Sequence, residues 1–165
     1  MGWLEVVPDQ TLALWGVAAA LALWLGSLKS STSALILLSF IGTACHEAAH
    51  FIVGWVLGAH PTKVSLFPRK IDAKRWELGS VTFKNMRWWN KAPTALAPML
   101  LAPGSMAFLH FITSPELNSS NFGSVAFQIA MCSMALQSSW PSTTDFLHAL
   151  PCLIFIALIV ALINF

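Results

Sequence analysis

Residues 41–58, IGTACHEAAHFIVGWVLG, set two histidines and a glutamate (His46, Glu47 and His50) inside an apolar run. At about 100° per residue, His46 and His50 lie about 40° apart on one helix face, one turn removed. Imidazoles stacked this way can offer neutral nitrogens to one zinc ion, with Glu47 in reach of a coordinated water. Zinc lowers that water's pKa towards ~7, and a carboxylate that takes its proton lets hydroxide attack a carbonyl. The spacing assigns His46 and His50 as metal ligands and Glu47 as catalytic base. The competing role is a pair of core histidines hydrogen-bonded to a buried glutamate.

A catalytic zinc needs a third protein ligand and one open position. Val56 stands six residues after His50, where a soluble arrangement would place a third histidine. His60 follows Gly58 and reads as an interfacial loop residue. Asp72 and Glu77 sit among lysines and arginines, where solvated ion pairs are the default. Glu116 and His110 fall towards the opposite side of the membrane. Asp145, behind the helix-breaking WPST, is the candidate third ligand, with helix N-cap as its competing role. His148, one turn further along, is the reserve candidate as ligand or as a partner that orients one.

The elements that must hold these residues follow from composition. Hydrophobic residues make up 56% and charged residues 10%, where soluble chains carry roughly 25% charged. The expectation is an α-helical integral membrane protein, one membrane domain over 1–165. Its five transmembrane helices cover about 10–28, 33–58, 93–112, 121–139 and 146–165, each near the ~20 residues that cross a bilayer. The third contains Pro93, Pro98 and Pro103, tolerable where neighbours satisfy the freed carbonyls. Pro151 divides the fifth. In the loop 59–92, KVSLF and GSVTF alternate and predict a short β-hairpin with the basic segment at its turn. Trp88 and Trp89 read as interfacial anchors.

Charge placement orients the chain. Eight of nine Lys and Arg residues lie between Lys63 and Lys91. The positive-inside rule puts that loop and the N-terminus in the cytoplasm and brings the HEAAH motif and Asp145 to one depth, with Lys29 on the other face. A solvated cytoplasmic loop explains the run without nucleic acid. The lipid bilayer is the expected surrounding. Cys45, Cys132 and Cys152 have no paired spacing and read as small hydrophobes. The chain's compactness and the absence of a targeting pattern in MGWLEVVPDQ point to a bacterial-type plasma membrane.

HExxH within a transmembrane helix, a strand-rich loop after it, and a late Asp behind a Pro-containing break resemble the site-2 protease family of intramembrane zinc metalloproteases. The likeness runs from residue 33 to about 150. It implies one zinc per chain held by His46, His50 and Asp145, with Glu47 as base. It further implies that Gly79, Ser80, Val81, Thr82 and Phe83 offer a strand edge to an extended substrate. In the family an Asn-rich element precedes the ligand Asp and Gly follows it. Here the segment is QSSWPSTTDF, so Gln137 or Ser138 would take the substrate contact and Phe146 stands in the Gly position. No PDZ domain is attached, so regulation would come from a membrane partner or from substrate presentation. The expected activity is cleavage of a transmembrane or juxtamembrane protein segment. The alternative is a catalytically inactive zinc-binding membrane scaffold, against which the intact Glu47 argues. A metal transporter fits less well, because beyond Glu47 and Asp145 the spans hold no carboxylate placed for an ion path.

Overall fold

A computed structural model of the chain describes residues 9–27, 33–67, 69–72, 75–77, 79–116 and 121–164. The first eight residues, Lys29 and Lys74, on which the orientation reading draws, lie outside these. The chain is mostly helical, with two small antiparallel strand pairs. Contacts divide it into two compact units, 1–42 with 102–137 and 43–101 with 138–165.

The first unit contains α1 (Asp9–Ser27), the start of α2 (Ser33–Val56), most of α4 (Leu101–Phe108), a π-helical turn (Leu109–Thr113), α5 (Ser114–Glu116) and α6 (Phe122–Gln137). Ala18, Leu109 and Cys132 form its core, with Trp15 and Ile129 packed against them. Its small hydroxyls pair with other side-chain polar groups, as polar groups among apolar helices must. Thr11 Oγ1 donates to Ser114 Oγ at 3.1 Å, and Thr113 Oγ1 donates to Gln128 Oε1 at 2.8 Å.

The second unit carries the remainder of α2, then β1 (Pro61–Ser65), β2 (Arg69–Asp72), β3 (Arg75–Glu77), β4 (Ser80–Phe83), α3 (Trp88–Ala95), a 3₁₀ turn (Ala97–Leu100) and α7 (Thr143–Ile163). Gly58, at φ +67°, ends α2 in a left-handed turn. Gly58 N–H donates to Trp55 O and Ala59 N–H to Gly54 O, the paired bonds of a Schellman cap. Asn85 and the fully buried Asn90 then tie this end to the start of α3. Asn85 Nδ2 donates to Gly58 O, and Asn90 Nδ2 donates to Asn85 O and Leu57 O. α3 packs on α7 through Ala92, Ala95 and Ala149.

Three expectations need correction. The basic segment is no turn: β2 and β3 form their own antiparallel pair, nested within the β1–β4 pair. Pro151 does not divide α7, which runs unbroken from Thr143 to Ile163. The third span starts earlier and is broken, Trp88–Ala95 meeting Ala97–Thr113 at a 48° bend. Pro98 accounts for the break, since it has no N–H to give to the Thr94 carbonyl one turn back.

Among the described residues, two helices are long and apolar enough to cross a membrane, Gln10–Ser27 and Thr143–Ile163, or three if the bent pair is one span. α6, at 16 residues, rises only about 24 Å, short of the ~30 Å hydrocarbon core.

Candidate metal centre

Helix geometry sets His46 and His50 together on α2, their Nε2 atoms 3.2 Å apart. The other nitrogen of each ring is anchored by backbone. His46 Nδ1 lies 2.8 Å from Ser138 O and His50 Nδ1 lies 2.8 Å from Thr94 O. A carbonyl can only accept, so both rings carry the proton on Nδ1 and turn an Nε2 lone pair inward. The Thr94 carbonyl accepts no bond from position 98, because Pro98 has no N–H to give.

Asp145 completes the group. Its Oδ2 is 3.4 Å from His46 Nε2 and its Oδ1 is 3.3 Å from His50 Nε2. The N-cap role belongs to Ser142 and not to Asp145, which is the third helical residue, yet capping contact and candidate ligand position belong to one arrangement. Ser142 caps α7, and the Asp145 carboxylate returns to Ser142, Oδ2 accepting from its N–H at 2.8 Å and its Oγ–H at 2.6 Å. The Asp145 N–H donates back to Ser142 Oγ, which closes a capping box. The box holds the carboxylate with Oδ1 and Oδ2 facing the two histidines.

Lone pairs from two imidazoles and a carboxylate thus converge with no donor between them. Such a cluster is stable around a cation, either a metal ion or an added proton. The separations are compatible with a metal, although the two Nε2 atoms, 3.2 Å apart, are also within hydrogen-bond reach of each other. At 3.3–3.4 Å the N–O pairs exceed the usual 2.7–3.2 Å hydrogen-bond range. They match the roughly 3.3 Å edge of a tetrahedral site whose bonds are about 2.0–2.1 Å. His46, His50 and Asp145 are the group of candidate metal ligands among the described residues.

The centre opens on a cavity of about 890 Å³. Glu47 lines it, only 8% exposed. Gly79 lies so close to this side chain that an added Cβ would come within 2.7 Å of Glu47 Cγ and 2.9 Å of its Oε1. Gly79, Ser80, Val81, Thr82 and Phe83 all line the cavity, as does Ser138. β4 pairs with β1 on one side. Gln137 is not among the lining residues; it ends α6, its side chain beside Gly26 in the first unit. His148 lines the cavity without joining the metal group, and His60 does neither. His60 instead occupies the left-handed region at φ +51°, and its carbonyl accepts from Lys84 N–H.

Sequence reading missed the parts played by Thr94, Ser138 and Ser142. Thr94 and Ser138 act through backbone carbonyls, which no side chain announces. The freed carbonyl behind Pro98 was the one available signal for Thr94, and STTD as a cap was the signal for Ser142. No protein-family model, curated protein or solved structure matches the chain.

Proposed function

We propose that the chain is an intramembrane zinc metalloendopeptidase that cleaves a transmembrane or juxtamembrane segment of another membrane protein. The observation that carries this reading is Glu47. It is a buried carboxylate on the wall of the cavity that holds the two-histidine, one-aspartate group, beside the strand that a peptide could join. A purely structural metal site needs no such acid.

His46, His50 and Asp145 would hold the zinc, leaving one position open. Bound there, zinc would supply Lewis acidity, lowering the pKa of water to about 7 and polarising a carbonyl. The chain's own groups do the rest. Thr94 and Ser138 fix the histidine tautomers. Glu47 accepts the proton from the attacking water and returns it to the departing amine. The edge of β4 that has no strand partner among the described residues aligns the scissile segment in extended form, which unwinds it and exposes its carbonyl. The setting is a membrane. On α7, Ile154, Phe155, Ile156, Leu158, Val160, Leu162 and Ile163 are each at least half exposed, a contiguous apolar surface suited to lipid.

The test pairs zinc stoichiometry with cleavage of co-expressed membrane substrates, for the native chain and Glu47→Gln. The expected result is unchanged zinc with cleavage reduced about 10²–10⁴-fold, the span of general-base effects. Equal behaviour of the two chains would point to a zinc-binding scaffold. A native protein purified without zinc would remove the metal assignment.

A further inference from the structure

Two basic side chains in the cavity are left over by this chemistry, Lys91 on α3 and His148 on α7. Among the described residues neither has a side-chain hydrogen bond or ion pair. A third group is more unusual. Thr94 is 1% exposed, and its Oγ1 is buried without a hydrogen-bond partner. A helical threonine hydroxyl ordinarily returns to a carbonyl one turn back, and leaving it unpaired costs about 1–3 kcal/mol.

These groups share a place. Lys91 and Thr94 are three residues apart on α3, hence on one face, as are Asp145 and His148 on α7. The two helices pack together through Ala92, Ala95 and Ala149. Asp145 faces both histidines and Ser142, and Glu47, the other acid among the described lining residues, is the base of the proposed reaction. Lys91 and His148 therefore remain as basic side chains without a partner among the described residues.

We propose that Lys91 and His148 form a subsite for a carboxylate side chain of the segment entering the cavity, and that the buried Thr94 hydroxyl, on the Lys91 face of α3, turns to it on binding. The inference rests on the peptidase reading and adds a substrate preference to it. One ammonium, one imidazole and one hydroxyl suit a single carboxylate. They lack the guanidinium fork that marks dedicated phosphate sites.

The experiment measures binding of three extended peptides differing at one position, Glu, Gln or Lys. The zinc-loaded chain is held in nanodiscs of zwitterionic lipid and, separately, of anionic lipid, and cleavage is followed in parallel. The native chain is expected to bind the Glu peptide about tenfold tighter than the Gln peptide, the size of one charge-assisted contact. Lys91→Glu should reverse the order in favour of the Lys peptide, and His148→Gln should narrow it. Thr94→Val should weaken the Glu peptide severalfold without lowering the melting temperature. Equal binding of the three peptides by the native chain, an unchanged order in Lys91→Glu, or no binding at all overturns the subsite. So does a Lys91→Glu effect confined to anionic discs, which would make Lys91 a lipid contact. Cleavage without a charge order sinks the subsite and spares the peptidase reading; a charge order without cleavage does the reverse.

Discussion

Asp145 shows how much one side chain can be asked to do. Its carboxylate closes the cap of α7 on Ser142 and faces both histidine nitrogens. Among the described residues Ser142 makes no hydrogen bond to a histidine, yet it sets where the two oxygens point. Ser142→Ala is therefore expected to weaken zinc binding about 10–100-fold, as loss of an orienting partner does. It should also cost roughly 1 kcal/mol of helix stability from the lost cap. Competition with a chromophoric chelator and a melting curve measure the two effects separately. Zinc affinity unchanged in that variant would mean Asp145 is held by something other than its cap. The histidine spacing was legible in the sequence because helix periodicity is local, and two residues four apart declare their shared face. Which ring nitrogen points inward was not legible, because it depends on carbonyls at Thr94 and Ser138, distant along the chain.

Pro98 and Gly79 act at the level of the elements. By withholding an N–H, Pro98 bends the third helical stretch and releases the Thr94 carbonyl to His50. Pro98→Ala restores a competitor for that carbonyl. It is expected to lower zinc affinity about tenfold by freeing the His50 ring, with a gain in helicity visible by circular dichroism. Gly79 lets the chain entering β4 lie against Glu47 and Thr43. A methyl at Gly79 must displace both of them, so Gly79→Ala should cut cleavage about 10–100-fold. Because neither neighbour is a metal ligand, full zinc occupancy should persist. Zinc loss in step with activity would place the damage at the ligands instead. Alternation in KVSLF and GSVTF was enough to find the outer strand pair. The inner pair escaped because RKID and RWE are short and charged, and charge runs ordinarily mark turns. The break in the third stretch was signalled only by its prolines, whose consequence depends on which neighbour takes the freed carbonyl. Pro151 carries the same chemical signature, yet α7 continues through it.

For the whole molecule, the testable matter is the proposed placement of the chain in a membrane. Thr62 on β1 is exposed, and the described cysteines are buried or half-buried. In the proposed orientation, a membrane-impermeant maleimide should label Thr62→Cys in inverted vesicles and not in intact cells. Labelling from outside would reverse the topology and, with it, the cytoplasmic position of the cavity. The anchoring of His46 by Ser138, 92 positions later, has a further consequence for biosynthesis. A ribosome adding about 5–20 residues per second needs about 5–20 s to travel from one to the other. Through that interval the nascent chain carries HEAAH without Ser138 to set one ring and without Asp145 to complete the metal group. The His46–His50–Asp145 group therefore cannot assemble until the last helix has been made, so the order of synthesis itself keeps the proposed metal site from existing before its cavity does.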